Sequence, residues 1–115
     1  MRIIRLPGIH HDANCVLFSG SECNILVDAG TTWYQMLQVE RISGHLNKPE
    51  KANETLDRIL LTCRRYPFAG GAKHISQENG NVPIHVHPDA ISVLETGDFY
   101  STWANRYDSD MPSTA

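Results

Sequence analysis

The strand-forming runs of this chain are apolar at both parities: Val16 is followed by Leu17, and Ile59 by Leu60 and Leu61. Alternate residues of a strand point to opposite faces, so a sheet built from these runs has two faces that require burial. One layer of helices covers only one of them. A large apolar face left open is not tolerated by a soluble monomer, so the fold needs a second cover. The 115 residues are enough for one domain with a real core, at a length where roughly two-thirds of the unfolded surface is buried without disulfide or metal staples. A hydrophobic content of 41% against 20% charged residues reads as globular and excludes a disordered chain.

The order of elements narrows the class. Three apolar runs, Ile3 to Leu6, Asn14 to Phe18 and Asn24 to Val27, read as a strand meander, with Ser19-Gly20-Ser21-Glu22 turning between the last two. Asp28-Ala29-Gly30 ends the sheet. Thr31 or Thr32 is placed to cap a helix over Trp33 to Leu46, where Trp33, Leu37, Val39, Ile42 and Leu46 form an imperfect helical stripe. Lys48 to Asn53 is a polar loop, and Leu56 to Thr62 a buried strand. Gly70-Gly71 permits a sharp turn into a short helix, Ala72 to Glu78, that ends at Asn79-Gly80. A strand over Val82 to His87 and a helix from Pro88 to Glu95 follow, with Gly97 at the helix exit. The segment Phe99 to Ala115 is an aromatic and polar tail without period. Strands first and then β-α-β-α predict a mixed α/β sheet with helices on one face.

Charge and cysteines exclude several functions. Ten Lys plus Arg against thirteen Asp plus Glu give a net charge of −3. That balance lacks the basic footprint of a nucleic-acid binder. No run approaches the ~20 apolar residues of a membrane span, and the apolar start Met1 to Gly8 is too short for a signal peptide. Cys15, Cys23 and Cys63 cannot all pair and show no C-x-x-C spacing, which predicts free thiols in a cytoplasmic setting.

The stretch Leu60-Leu61-Thr62-Cys63-Arg64-Arg65-Tyr66-Pro67-Phe68-Ala69-Gly70-Gly71 is an apolar strand ending in Thr, a six-residue loop and a Gly-Gly pair before a helix. Its frame resembles the metallo-β-lactamase superfamily, in which H-x-H-x-D-H fills such a loop. The flanks extend the likeness: Asp12 to Phe18 and Asn24 to Thr31 resemble the family's first hairpin and strand-end Asp-x-Gly turn, and Val82 to Ala90 with Leu94 to Asp98 its next strand and helix. The resemblance implies one half of an αββα sandwich over residues 1–115, with 99–115 near the connection to a second half. It also implies structural roles for Asp28, Gly70 and Gly71.

The ligand slots of the resemblance fall on Cys63, Arg65, Pro67 and Phe68. The family's two ions, zinc or iron, need thiolate, imidazole or carboxylate donors at about 2.0–2.3 Å. Cys63 retains a thiol. Arg65 offers only donors and repels a cation, Pro67 has no side-chain donor atom, and Phe68 brings a ring that must be packed away from water. The expectation is therefore no metal, no cofactor and no catalytic residue. A block of four changes inside a family-like sequence favours selected or deliberate replacement over drift, in a natural degenerate fragment or an engineered one.

Other clusters carry less. His85-Val86-His87-Pro88-Asp89 spells H-x-H-x-D, and His85 and His87 share a strand face, but no Gly-Gly pair follows and Asp89 suits a helix start. His10-His11-Asp12 reads as a solvated loop, since neighbours on an extended chain diverge. Asp28 is positioned to meet Arg64 or Arg65. A makeshift hydrolase site of Cys63 with His74 or His10, and a small binding module using Phe99, Tyr100, Trp103 and Tyr107, are the competing readings. The favoured one is a metal-free, inactive half-domain completed by homodimerisation, with Phe68 and Pro67 at the interface. It has no nucleic-acid or membrane partner and no small-molecule substrate.

Overall fold

The computed structural model describes residues 1–47 and 54–115, so the polar loop expected at 48–53 lies outside the described residues. Five strands form one sheet in the order β1-β2-β3-β4-β5. They are β1 (Arg2–Leu6), β2 (Cys15–Ser19), β3 (Asn24–Val27), β4 (Arg58–Leu60) and β5 (Ile84–His85). The first three pair antiparallel through the hairpin, with Phe18 between Ile3 and Ile25. The last three pair parallel, with Leu26 beside Ile59 and Ile59 beside Ile84. Parallel neighbours require a crossover. Helix α1 (Gln35–Leu46) lies in the first, and α2 (Tyr66–Ala69) with α3 (Ala72–Glu78) in the second; α4 (Ile91–Thr96) follows β5.

Register separates the two faces of the sheet. Leu6, Cys15, Leu17, Leu26 and Ile59 are buried on one face, in a single core cluster with Ile42 and Leu46 of α1, Ile75 of α3 and Leu94 of α4. Each fully buried aliphatic side chain of this kind stabilises by about 1.5–3 kcal/mol. On the other face Val16, Phe18, Ile25, Val27 and Leu60 stay half-buried and outside that cluster, and Ile3 is 69% exposed. The helices thus cover one face, and the mixed α/β sheet expected from the chain is present.

Several boundaries differ from expectation. The helix expected from Trp33 begins at Gln35, and neither Thr31 nor Thr32 caps it: Tyr34 stands at the cap without a side-chain bond. The Thr31 hydroxyl is bound to Asp12 and the Thr32 hydroxyl to Tyr66. The expected strand Leu56 to Thr62 contracts to Arg58–Leu60 because Leu56 N–H donates to the Asn79 side chain and Thr62 N–H to Asp28. Val82 to His87 contracts to Ile84–His85, since Val82 instead receives the Ser76 hydroxyl. The helix at Pro88 opens as a tight 3-10 turn, capped by the His87 ring accepting from Asp89 N–H, so His87 and not Asp89 initiates it. Helix α3 matches Ala72 to Glu78, and Gly97 adopts the left-handed conformation at the exit of α4. The aperiodic tail is packed: Thr102, Ala104 and Met111 are buried.

Cys15 lies on the core face and its thiol is directed to the Ala13 carbonyl at 3.6 Å. Burial, and secondarily the carboxylates of Asp28 and Asp12, push the thiol up from 9.0 to about 12. The folded state therefore favours the neutral thiol. Its contribution to stability is complete below pH 9.0 and is lost as pH rises through about 12. Thiol titration of the native protein near neutral pH is expected to label Cys23 and Cys63, with Cys15 reacting only after unfolding. Above pH 9 the melting temperature of the wild type is expected to fall more steeply than that of Cys15→Ala. A native Cys15 that labels as fast as Cys23 would contradict the burial.

Candidate functional site

The loop between β4 and α3 is held at the C-terminal edge of the parallel strands by Asp28. This residue is 6% exposed and lies at φ +66°. Its backbone N–H donates to Leu60 O at 2.8 Å. Its carboxylate accepts from Thr62 N at 2.8 Å and from the Thr62 hydroxyl at 2.7 Å. The expected contact of Asp28 with Arg64 or Arg65 is not formed, because both acceptor oxygens face Thr62. A buried carboxylate that receives two such bonds is satisfied without a cation.

The loop is tied down at further points. Ala13 N–H donates to Pro67 O at 3.0 Å, Ala29 N–H to Phe68 O at 2.8 Å and Gly71 N–H to Gly30 O at 2.9 Å. Gly70 and Gly71 are needed for closeness and not, as the sequence suggested, for a sharp turn: both have right-handed helical dihedrals. A Cβ on Gly71 would lie 2.9 Å from Ala29 O, and one on Gly70 would lie 2.7 Å from the Tyr66 ring. Both glycines sit where a side chain would collide, and Asp28 is held by hydrogen bonds to Thr62.

The slot residues are engaged as parts of the protein. Cys63 Sγ accepts from Arg65 N–H at 3.4 Å. The Arg65 guanidinium donates to Ser101 O at 2.5 Å and lies 3.8 Å over the Trp103 ring, which Arg106 also approaches at 4.4 Å. Pro67 is buried within the chain, at the start of α2. Phe68 is half-buried, where its ring was expected to be packed away from water; its backbone, held by Ala29, fixes the loop whatever the side chain covers. Guanidinium, pyrrolidine and phenyl groups have no lone pair to offer a metal, so this donor set does not fit the family's pair of ions.

Tyr66, between two slots, was missed by sequence reasoning. It is fully buried, and its hydroxyl meets the Thr32 hydroxyl, Thr32 N–H at 3.2 Å and Ser109 Oγ at 3.0 Å. Its ring packs against Trp33 and Tyr107. The available signal was the aromatic richness of the tail, which needs a buried partner to order against.

The other candidates are dispersed. His85 Nε2 meets Arg58 Nη1 at 3.0 Å on the open face of the sheet, while the His87 ring turns to the backbone of Asp89. His10 meets the Tyr34 hydroxyl at 2.9 Å, and His11 packs edge-on to Trp33 and Tyr107. Neither His10 nor His74 bonds to Cys63 among the described residues. No group of three His, Cys, Asp or Glu positioned for a metal ion occurs among the described residues, and no described helix is long and apolar enough to cross a membrane. Of the tail aromatics, Trp103 and Tyr107 are used internally, leaving Phe99 38% and Tyr100 72% exposed.

A family model described as the metallo-beta-lactamase superfamily matches residues 9–110. Among solved structures, BJP-1, a subclass B3 metallo-β-lactamase of Bradyrhizobium japonicum, is similar with a TM-score of 0.68 at 20% identity, over 87% of this chain and 36% of its own. MIM-1 from Novosphingobium pentaromativorans gives 0.61 at 21% identity, over 73% of this chain and 29% of its own. GOB-18 from Elizabethkingia meningoseptica gives 0.63 at 22% identity, over 76% and 31%. At these identities the likeness is one of fold, and the chain spans about a third of the length of these proteins. No curated protein matches the sequence.

Proposed function

The chain belongs to the metallo-β-lactamase superfamily, and from that membership we propose a metal-free, catalytically silent module of the fold that self-associates through the open face of its sheet. The observation that carries the first part is the chemistry of the ligand loop. Arg65 is fixed on Trp103 and Ser101, Pro67 is buried and Phe68 carries no donor atom, so three of four slots hold side chains that cannot ligate. The makeshift alternative is weaker, since Cys63 Sγ accepts a backbone N–H and no imidazole is hydrogen-bonded to it among the described residues.

Self-association is supported by the sheet. Val16, Phe18, Ile25, Val27 and Leu60 form an apolar, half-buried patch across three neighbouring strands, on the face away from the helices. In the family two pseudo-symmetric halves pack sheet against sheet. A second copy of the chain, related by a twofold axis, offers the same patch in return. The half-domain reading is supported by this arrangement and by residues 99–115 packed back on the loop.

Elemental analysis of protein purified without chelator is expected to find no stoichiometric zinc, iron or manganese; one ion per chain would overturn the metal-free reading. Sedimentation equilibrium is expected to give a dimer whose interface buries on the order of 2,000 Å² or more. Phe18→Asp at the centre of the patch, and Ile3→Lys at its exposed edge, are each expected to weaken it by about tenfold or more, the range of a buried interface anchor. A compact monomer at micromolar concentration, indifferent to both substitutions, would show that the face is not an interface between copies.

A further inference from the structure

Beyond the C-terminal ends of the parallel strands β4 and β5 the chain leaves a cleft of about 270 Å³. The crevice outside the carboxyl ends of parallel strands is where α/β sheets bind ligands. Arg64 and Asp89 line it from the two sides, Leu61 and Val86 are apolar, and Cys63 and His87 complete the wall. Arg64 is exposed and has no carboxylate within 4.0 Å among the described residues. The one ion-pair contact of Asp89 is to His87 Nδ1 at 3.7 Å, and that nitrogen already accepts from Asp89 N–H, which leaves the His87 Nε2–H free to donate. A cation and a carboxylate thus share one cleft without neutralising each other.

We propose that this cleft binds a small zwitterion, a free α-amino acid with an apolar side chain. Its carboxylate meets Arg64 and the His87 Nε2–H, its ammonium meets Asp89, and its side chain lies on Leu61 and Val86. A simple anion is opposed by Asp89 and a simple amine by Arg64, so a ligand bearing both charges gains from both, while one bearing a single charge gains from one group and is opposed by the other. The proposal goes beyond the metal-free reading and is tested with chelator present throughout, so that a result for the cleft is separate from a result for metal.

Cys63 reports occupancy. Near neutral pH an alkylating reagent reads Cys63 and Cys23, because Cys15 is buried, and Cys23, at the β2–β3 hairpin, is an internal reference outside the cleft. With L-valine at about ten times its dissociation constant, Cys63 alkylation is expected to slow about tenfold, by the mass action that protects any liganded state, while Cys23 is unchanged. Isobutyrate and isobutylamine, which each carry one of the two charges, are expected to slow it by less than about twofold. Arg64→Gln and Asp89→Asn, both exposed positions, are each expected to abolish protection while leaving the circular dichroism of the chain unaltered. Absence of protection at any attainable L-valine concentration would overturn the proposal. So would equal protection by isobutyrate, which would make this an anion site only, or protection that survives Arg64→Gln.

Discussion

The hydrogen bonds between the buried carboxylate of Asp28 and Thr62 are the constraint on which the rest of the structure depends. They join the end of β3 to the end of β4 and fix where the following loop begins. Charge-assisted bonds of this kind are worth roughly 1.5–3 kcal/mol each, and a buried carboxylate without them would be strongly unfavourable. From that point the chain has little freedom. Phe68 and Pro67 are held through their carbonyls by Ala29 and Ala13, and Gly71 is drawn against Gly30. Three of the four ligand slots in this loop, Arg65, Pro67 and Phe68, hold side chains with no donor for a metal.

Packing and stacking hold the loop against the tail. Arg65, in one slot, brings the tail onto the loop by meeting Ser101 and Trp103, and Tyr66 does the same through Thr102, Ser109 and Tyr107. Arg64, Arg65 and Arg106 place guanidinium groups near this edge of the sheet. Of these, Arg64 lines the cleft beside β5.

The parts of this arrangement that were legible in the sequence are those set by local chemistry. Helix α3 follows from the glycines that bracket it and the exit of α4 from Gly97 at a left-handed position, and the meander follows from turn residues between β-branched runs. The two-faced apolar pattern anticipated the open face seen in the register of Val16, Phe18 and Ile25. The ends of β4 and β5 were overestimated because apolar composition does not say where a pairing partner stops. Thr31 and Thr32 look like caps in sequence, yet Asp12 and Tyr66 claim their hydroxyls from a distance. Tyr66 and the tail were illegible for the same reason: their order comes from contacts that span some 36 to 43 residues. The slots themselves could be read by chemical elimination, whereas the partner of Asp28 could not, since Arg64, Arg65 and Thr62 all lie within reach in sequence.

The central claim is that Asp28, and not a metal, holds the ligand loop in place. Thermal unfolding of the wild type and of Asp28→Ala, each in excess zinc and in chelator, tests it most directly. The account predicts that Asp28→Ala is less stable by about 2–3 kcal/mol, a fall in melting temperature of roughly 10 °C or more, and that zinc raises neither protein above its value in chelator. A wild type stabilised by zinc, as a folded state with a metal site must be, or an Asp28→Ala variant that melts with the wild type, would contradict it.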